Sequence, residues 1–149
     1  MAGVDAVVSA LGTPLLLRQV TLLSDGTQHL VDAMRRAAVP RLICITGMGA
    51  GDSRGHGGFV YDRLLLPTLL RAIYADKDRQ ERVVRDSGLD WTLVRPARLT
   101  NSGVTGQYRV ITQFSDERMS TIARLDVAHF IVREVRQRRH PRQTVNLTD

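Results

Sequence analysis

The chain has 149 residues, of which 43% are hydrophobic and 24% are charged, and its formal net charge is +6 at pH 7. This composition is typical of one folded domain that buries a core without metals or disulfides. No run approaches the roughly 20 apolar residues of a membrane span, and the first residues lack the pattern of a signal peptide. The single Cys44 excludes an internal disulfide, so we expect a cytoplasmic protein with no membrane association.

The basic charge has a particular distribution. Of the 21 basic residues, all but Lys77 are arginine. The densest basic run, Arg133 to Arg142, has no aromatic residues for base stacking, and the chain lacks helix-turn-helix or zinc-ligand spacing. A solvated helix end is the favoured interpretation of this run, and nucleic-acid binding is the least favoured function.

Strand and helix patterns alternate in the first two thirds of the chain. Three short apolar runs that end near glycine or proline predict buried strands, namely Val4–Ala10, Leu42–Thr46 and Trp91–Arg95. Apolar positions at helical spacing predict helices from about Thr21 to Ala38 and from about Phe59 to Asp86, the second kinked or broken near Pro67. This alternation predicts an α/β fold with a mainly parallel sheet.

The pattern loosens after Pro96. A hairpin strand is predicted at Tyr108–Ile111, a helix from about Leu125 to Arg136, and a last short strand at Thr144–Leu147. The chain has no internal repeat and no low-complexity linker, so residues 1–149 are predicted to form a single domain.

Two adjoining segments carry a family resemblance. The runs Tyr74–Glu81 and Ser87–Pro96 resemble the atypical short-chain dehydrogenase/reductases, and more narrowly the NAD(P)H-binding branch with flavin and biliverdin reductases and NmrA-like proteins. Gly3–Gly12 is similar to that family's fourth strand and the turn after it, and Asp126-Val127-Ala128 to its late segment. The resemblance covers nearly the whole chain and implies the C-terminal half of a doubly wound, Rossmann-type domain.

The family's opening glycine-rich strand, turn and helix are not found in this sequence. The glycine cluster Gly47–Gly51 follows a strand but is not followed immediately by a helix, so it lacks the context of a dinucleotide fingerprint. We therefore expect a truncated domain in which Val4–Ala10 is an open sheet edge. Either Met1 is not the natural start, or a homodimer covers that edge.

The resemblance implies a site at the carboxyl ends of the three strands. Lys77 would hydrogen-bond the nicotinamide ribose of NAD or NADP, and the alternative is an exposed lysine paired with Glu81 at i+4. Tyr74 is a catalytic candidate or a packing residue, because Ile73 occupies the tyrosine position of Tyr-x-x-x-Lys. The expected cofactor-binding loops contain Leu11, Gly12, Thr13, Thr46, Gly47, Met48, Pro96, Ala97 and Arg98.

A second candidate cluster lies in one glycine-rich loop. Asp52, Ser53, Arg54 and His56 suggest a catalytic triad or a metal site, but no second histidine or cysteine stands at ligand spacing. We favour a solvated loop and expect no metal.

The leading hypothesis for function is an NAD(P)H-dependent oxidoreductase that passes hydride to a flat acceptor such as a flavin, quinone or tetrapyrrole, impaired by the missing glycine-rich motif. The alternative is a non-catalytic NmrA-like module that senses the dinucleotide or binds another protein. The substrate, the choice between NAD and NADP, and the oligomeric state stay open.

Overall fold

A computed structural model describes residues 3–13, 21–53, 63, 70–114 and 118–149. The elements in chain order are β1 Ala6–Ser9, α1 Leu22–Arg36, β2 Arg41–Ile45, α2 Arg71–Arg85, β3 Asp90–Pro96, β4 Arg98–Thr100, β5 Arg109–Ile111, β6 Thr121–Ala123, α3 Arg124–Gln137 and β7 Gln143–Thr148. A single 3₁₀ turn covers Gly51–Ser53. The predicted kink near Pro67 lies outside the described residues.

In the described part of the chain, the main sheet has the strand order β1-β2-β3-β7-β5. The first four of these strands run parallel, and β5 runs antiparallel to β7. Cys44 lies between Ser9 of β1 and Leu93 of β3, so the carboxyl ends of these three strands meet at one edge of the sheet. The predicted α/β fold with a mainly parallel sheet is confirmed.

The middle strands are buried on both faces, which explains their continuous apolar sequences. Leu42 and Leu93 pack with Val31 and Met34 of α1 and with Val84 of α2. On the opposite face, a second core cluster contains Ile43, Val94, Val127, Phe130 and Val145. The sheet therefore has helix α3 on one side and the α1–α2 pair on the other.

Two features differ from the sequence-based expectation. The segment predicted as a hairpin strand is β5, and it pairs with the distant β7, where Ile111 lies opposite Asn146. A hairpin requires a neighbouring strand joined by a tight turn, and here α3 intervenes between the paired strands. Strands β4 and β6 were not predicted; they form a separate parallel pair and are three residues long, too short for a periodic signal.

Strand β1 is the end strand of the sheet, as the sequence predicts. Within the described ranges it pairs with β2 and with no other strand. Val8 in this strand is 44% exposed. The outer edge of β1 therefore presents backbone donors and acceptors for which the described residues supply no ladder.

None of the helices in the described ranges has both the length and the apolar character that crossing a bilayer requires.

Candidate functional site

The loop after β2 is fixed to the end of β3 by backbone hydrogen bonds. The Thr46 amide donates to the Val94 carbonyl at 2.8 Å, and the Met48 amide donates to the Pro96 carbonyl at 3.1 Å. The strand ladder thus continues past the last residue of β2, and Thr46 and Gly47 are held at the carboxyl end of the sheet, beside helix α2.

Lys77 points from α2 to this loop and is half-buried. Its Nζ donates a hydrogen bond to the Thr46 carbonyl at 2.6 Å and lies 5.0 Å from the centre of the Tyr74 ring. Burial lowers the pKa of Lys77 to about 8, while the charges of Glu81 and Cys44 act in the opposite direction. Lys77 is therefore not an exposed lysine, and within the described residues its hydrogen bond goes to Thr46 and not to Glu81.

Gly47 is required by the closeness of Lys77. A Cβ atom at this position would lie 2.6 Å from Lys77 Nζ and 3.6 Å from Tyr74 Oη. The lysine ammonium and the tyrosine hydroxyl therefore face bare backbone, in a space that any side chain at position 47 would fill. Tyr74 itself is buried, with 9% of its surface exposed.

Glu81 is the centre of a buried cluster that sequence reasoning missed. Arg95 in β3 donates to it twice, from Nε to Oε1 at 2.8 Å and from Nη2 to Oε2 at 2.7 Å. The Thr46 hydroxyl donates to Oε1 at 2.8 Å, and Arg85 Nη2 donates to Oε2 at 3.0 Å. The available sequence signal was an arginine inside an otherwise apolar strand, which needs a carboxylate partner when buried.

The glycine-rich loop is held together by its own hydrogen bonds and by α2. Ser53 Oγ donates to the Ala50 carbonyl at 2.7 Å and accepts from the Gly49 amide at 2.8 Å, while the Gly51 amide donates to Asp78 Oδ1 at 2.9 Å. Ser53 is fully buried, so it is a structural residue, and the expectation of a solvated loop is wrong at this position. Arg54 and His56 lie outside the described residues, and among those described no cluster of potential metal ligands is found.

The remaining predicted contact residues lie in different environments. The side chains of Met48 and Ala97 belong to the core cluster on the α3 side of the sheet, so only their backbone is available to a ligand. Pro96 is buried at the end of β3, whereas Arg98 is exposed. The structure brings together Thr46, Gly47, Tyr74 and Lys77; their roles in binding stay predictions.

The loop after β1 lies beyond the strand at the same end of the sheet. Leu11 and Gly12 are exposed and Thr13 is half-buried. Leu11 leans towards α1, since its Cδ1 lies 3.1 Å from the place of a Cβ on Gly26. The role of these three residues in binding stays a prediction.

The N-terminus of α1 is already occupied by a carboxylate. Asp76 of α2 accepts from the Leu23 amide at 2.9 Å and from Ser24 Oγ at 2.5 Å. An anion at a helix N-terminus needs these same amide donors. The helix that follows β1 therefore does not offer them to a pyrophosphate.

Comparison with known proteins identifies a matching family and a relative in yeast. A family model described as NAD(P)H-binding matches residues 1–138. The UPF0659 protein YMR090W of Saccharomyces cerevisiae is 30% identical over 148 residues, which are 97% of this chain and 60% of that protein.

Solved structures share the fold at lower identity. The anaerobillin reductase ChuY of Escherichia coli O157:H7 aligns with a TM-score of 0.76 at 22% identity, over 95% of this chain and 62% of its own. A short-chain dehydrogenase/reductase of Veillonella parvula in complex with NADP aligns with a TM-score of 0.75 at 16% identity, over 88% of this chain and 60% of its own. The chain thus spans about 60% of the length of the yeast relative and of these two structures.

Proposed function

This chain belongs to the NAD(P)H-binding family, and from that membership we propose that it binds NADH or NADPH by the nicotinamide and its ribose and acts as a reductase-like protein. The observation that carries the proposal is the Lys77 ammonium held against bare backbone at Gly47. Both residues stand at the carboxyl end of a parallel sheet, where ligands bind in doubly wound folds.

The residues present fit the nicotinamide–ribose half of the cofactor. A lysine ammonium has three donors, and in the described residues Lys77 uses one of them, on the Thr46 carbonyl. Its other donors suit ribose hydroxyls, and the missing side chain of Gly47 leaves room for the ammonium itself. The fit does not extend to the pyrophosphate at α1, because Asp76 caps that helix.

In the proposed reaction the dinucleotide supplies a hydride, and the protein orients it. Lys77 holds the ribose, and because its pKa is about 8 it is mostly protonated at neutral pH. Tyr74 sets the position of the ammonium through the face of its ring, 5.0 Å from Nζ. Pro96, which ends β3, and its neighbours Met48 and Ala97 would flank the nicotinamide.

The acceptor in this proposal is a flat molecule such as a flavin, quinone or tetrapyrrole. Support comes from the structural similarity to a protein described as an anaerobillin reductase and to a short-chain dehydrogenase/reductase. Tyr74 is displaced by one residue from the Tyr-x-x-x-Lys spacing that serves alcohol chemistry, which favours acceptors that need no tyrosine proton relay.

The test is a fluorescence titration of the chain with NADH and NADPH, followed by turnover with a flavin acceptor. Lys77→Met should abolish binding, whereas Arg136→Met, which removes an exposed cation on α3, should leave it unchanged. Binding and turnover together support the reductase. Absence of any binding by the unaltered chain would sink the proposal.

A second candidate function is a non-catalytic NmrA-like module that senses the dinucleotide. The buried Tyr74 is compatible with this function as well as with a reductase that needs no tyrosine, because a packed phenol at the wrong helical position is a poor proton donor. Binding without turnover of any flavin, quinone or tetrapyrrole acceptor would select this function over the reductase.

We further propose that two copies of the chain pair through β1. The edge of this strand is open in the described residues, and the exposed Val8 would be covered by a partner strand. Sedimentation of the purified chain should give a dimer, and Val8→Lys, which places a charge on the exposed side chain of the edge strand, should give a monomer. A monomeric unaltered chain contradicts this pairing.

A further inference from the structure

Glu81 has both carboxylate oxygens engaged, although it lies one helical turn from Lys77. Oε1 accepts from Arg95 Nε and Thr46 Oγ1, and Oε2 accepts from Arg95 Nη2 and Arg85 Nη2. Arg95 is completely buried and Glu81 is 1% exposed. A two-point guanidinium–carboxylate contact in such a place is both stronger and more directional than a contact with an ammonium.

Lys77 would be the natural partner of Glu81 in an isolated helix, since the two stand at i and i+4. In the folded chain the Lys77 ammonium instead donates to the Thr46 carbonyl at 2.6 Å. Thr46 also donates its hydroxyl to Glu81. One threonine therefore connects the lysine to the buried carboxylate while keeping the two charges apart.

We propose that Arg95 is a positioning residue: it holds both oxygens of Glu81, keeps that carboxylate from pairing with Lys77, and so fixes the lysine on the Thr46 carbonyl, facing Gly47. That this aims the lysine at a nicotinamide ribose rests on the proposed function. The choice of Thr46 over Glu81 as the partner of Lys77 does not depend on the proposed function, because it concerns contacts within the protein alone.

The groups that surround the Lys77 ammonium determine whether its pKa rises or falls in each variant. They are Glu81 and Tyr74 on its own helix, Cys44 on β2 and the Arg95–Glu81 pair towards β3. Without Arg95, the Glu81 carboxylate retains Arg85 and is free to reach the ammonium, which raises the pKa of Lys77. Without the carboxylate charge, burial dominates and the pKa of Lys77 falls.

Because Lys77 is the single lysine, the test has one clean readout. Lysine isotopically labelled at Cε gives one NMR resonance, whose titration reports the pKa of Lys77 in the full chain without cofactor. Arg95→Met should raise that pKa by about one unit or more, the usual effect of a newly paired opposite charge. Glu81→Gln should lower it.

Arg95→Lys separates position from charge. It keeps the positive charge but cannot hold both oxygens, so the pKa of Lys77 should rise as in Arg95→Met; the second lysine signal is assigned by comparison with a chain that also carries Lys77→Arg. A pKa that equals that of the unaltered chain in Arg95→Lys overturns the two-point hold. Should the Arg95 variants lose their fold by circular dichroism, Glu81→Gln decides: an unchanged pKa overturns the proposal.

A matched control is available at the opposite end of the sheet. Arg41 is 3% exposed and its Nη2 lies 2.8 Å from Glu134 Oε1, so Arg41→Met removes a comparable buried ion pair far from Lys77. The pKa of Lys77 should be unchanged in this variant. A shift equal to that of Arg95→Met would mean that the effect is general destabilisation and would overturn the assignment.

Dinucleotide affinity, measured on the same variants, distinguishes the two proposals. Arg95→Met should weaken NADH or NADPH binding by about tenfold, which corresponds to one charge-assisted hydrogen bond. If the unaltered chain binds no dinucleotide while the pKa changes occur as stated, the proposed function fails and the positioning role stands. If the unaltered chain binds the dinucleotide and the pKa of Lys77 is unchanged in the Arg95 variants, the positioning role of Arg95 fails and the proposed function stands.

Discussion

The carboxylate of Asp76 in α2 accepts a hydrogen bond from the backbone amide of Leu23 at the start of α1, at 2.9 Å. The two residues are 53 positions apart. The same carboxylate accepts from the Ser24 hydroxyl, and it is fully buried. Asp76 therefore caps a helix other than its own and fixes the α1–α2 pair that supports Lys77.

Loss of this cap should destabilise the fold. We expect Asp76→Ala to lower the free energy of unfolding by about 1–3 kcal/mol, because the Leu23 amide and the Ser24 hydroxyl lose a buried acceptor. Chemical denaturation monitored by circular dichroism measures this. Asp32→Ala, on the exposed face of α1, is the control and should change stability by less than about 0.5 kcal/mol.

Gly47→Ala should impair both binding and folding. The new methyl group would lie 2.6 Å from Lys77 Nζ, and the long lysine side chain can move away at little cost, which displaces the ammonium from the Thr46 carbonyl. We expect about a tenfold loss of NADH or NADPH affinity. The melting temperature should also fall, because the φ angle of Gly47 is +159°, which residues with a side chain rarely adopt.

Gly88→Ala is the matched control for that substitution, because Gly88 also has a positive φ angle, +71°, and a Cβ there would meet no atom within 4 Å. Its dinucleotide affinity should equal that of the unaltered chain. Equal affinities for Gly47→Ala and the control would show that the space beside Lys77 is not used by the cofactor.

Binding should depend on pH through Lys77. Because its pKa is about 8 in the folded chain, the ammonium is present below that pH and is lost as the pH rises through it. Dinucleotide affinity should therefore be level in the neutral range and fall by about tenfold per pH unit above the pKa if only the charged form binds. Isothermal titration at a series of pH values measures this.

Lys77→Arg supplies the comparison for the pH series, since an arginine stays protonated. Whatever affinity this variant retains should show no step near pH 8. A step of the same size in Lys77→Arg would assign the titration to another group.

The Arg41–Glu134 pair should matter for stability and not for binding. Arg41 Nη2 donates to Glu134 Oε1 and to Thr92 Oγ1, both at 2.8 Å, at the amino ends of β2 and β3. Arg41→Met should cost about 3 kcal/mol, the lower end of the range for a broken buried pair, because His140 still donates to Glu134. Denaturant unfolding should show this loss of stability. Dinucleotide titration should show an unchanged affinity.

The sequence predicted the parts of the fold that local pattern encodes. Three runs of apolar residues predicted β1, β2 and β3 within two residues of their positions in the structure. Strands β2 and β3 are buried, because a strand covered on both faces needs an apolar side chain at nearly every position. The predicted burial of β1 is wrong, since Ser9 is its one buried residue. The sequence also identified Lys77 as a candidate site residue, because it is the single lysine among 21 basic residues. The open edge at β1 was an implication of the family resemblance, because the family's opening strands are not found in this sequence.

The partners of the charged residues were decided only by the tertiary structure. From sequence, Glu81 has a lysine and an arginine at helical spacing, yet its two-point partner is Arg95, 14 residues away in β3. Asp76 likewise caps a helix 53 residues earlier, and β5 pairs with β7 across α3. Periodicity reports which face of an element is buried, whereas the choice of a partner depends on which buried groups packing brings within about 3 Å of each other.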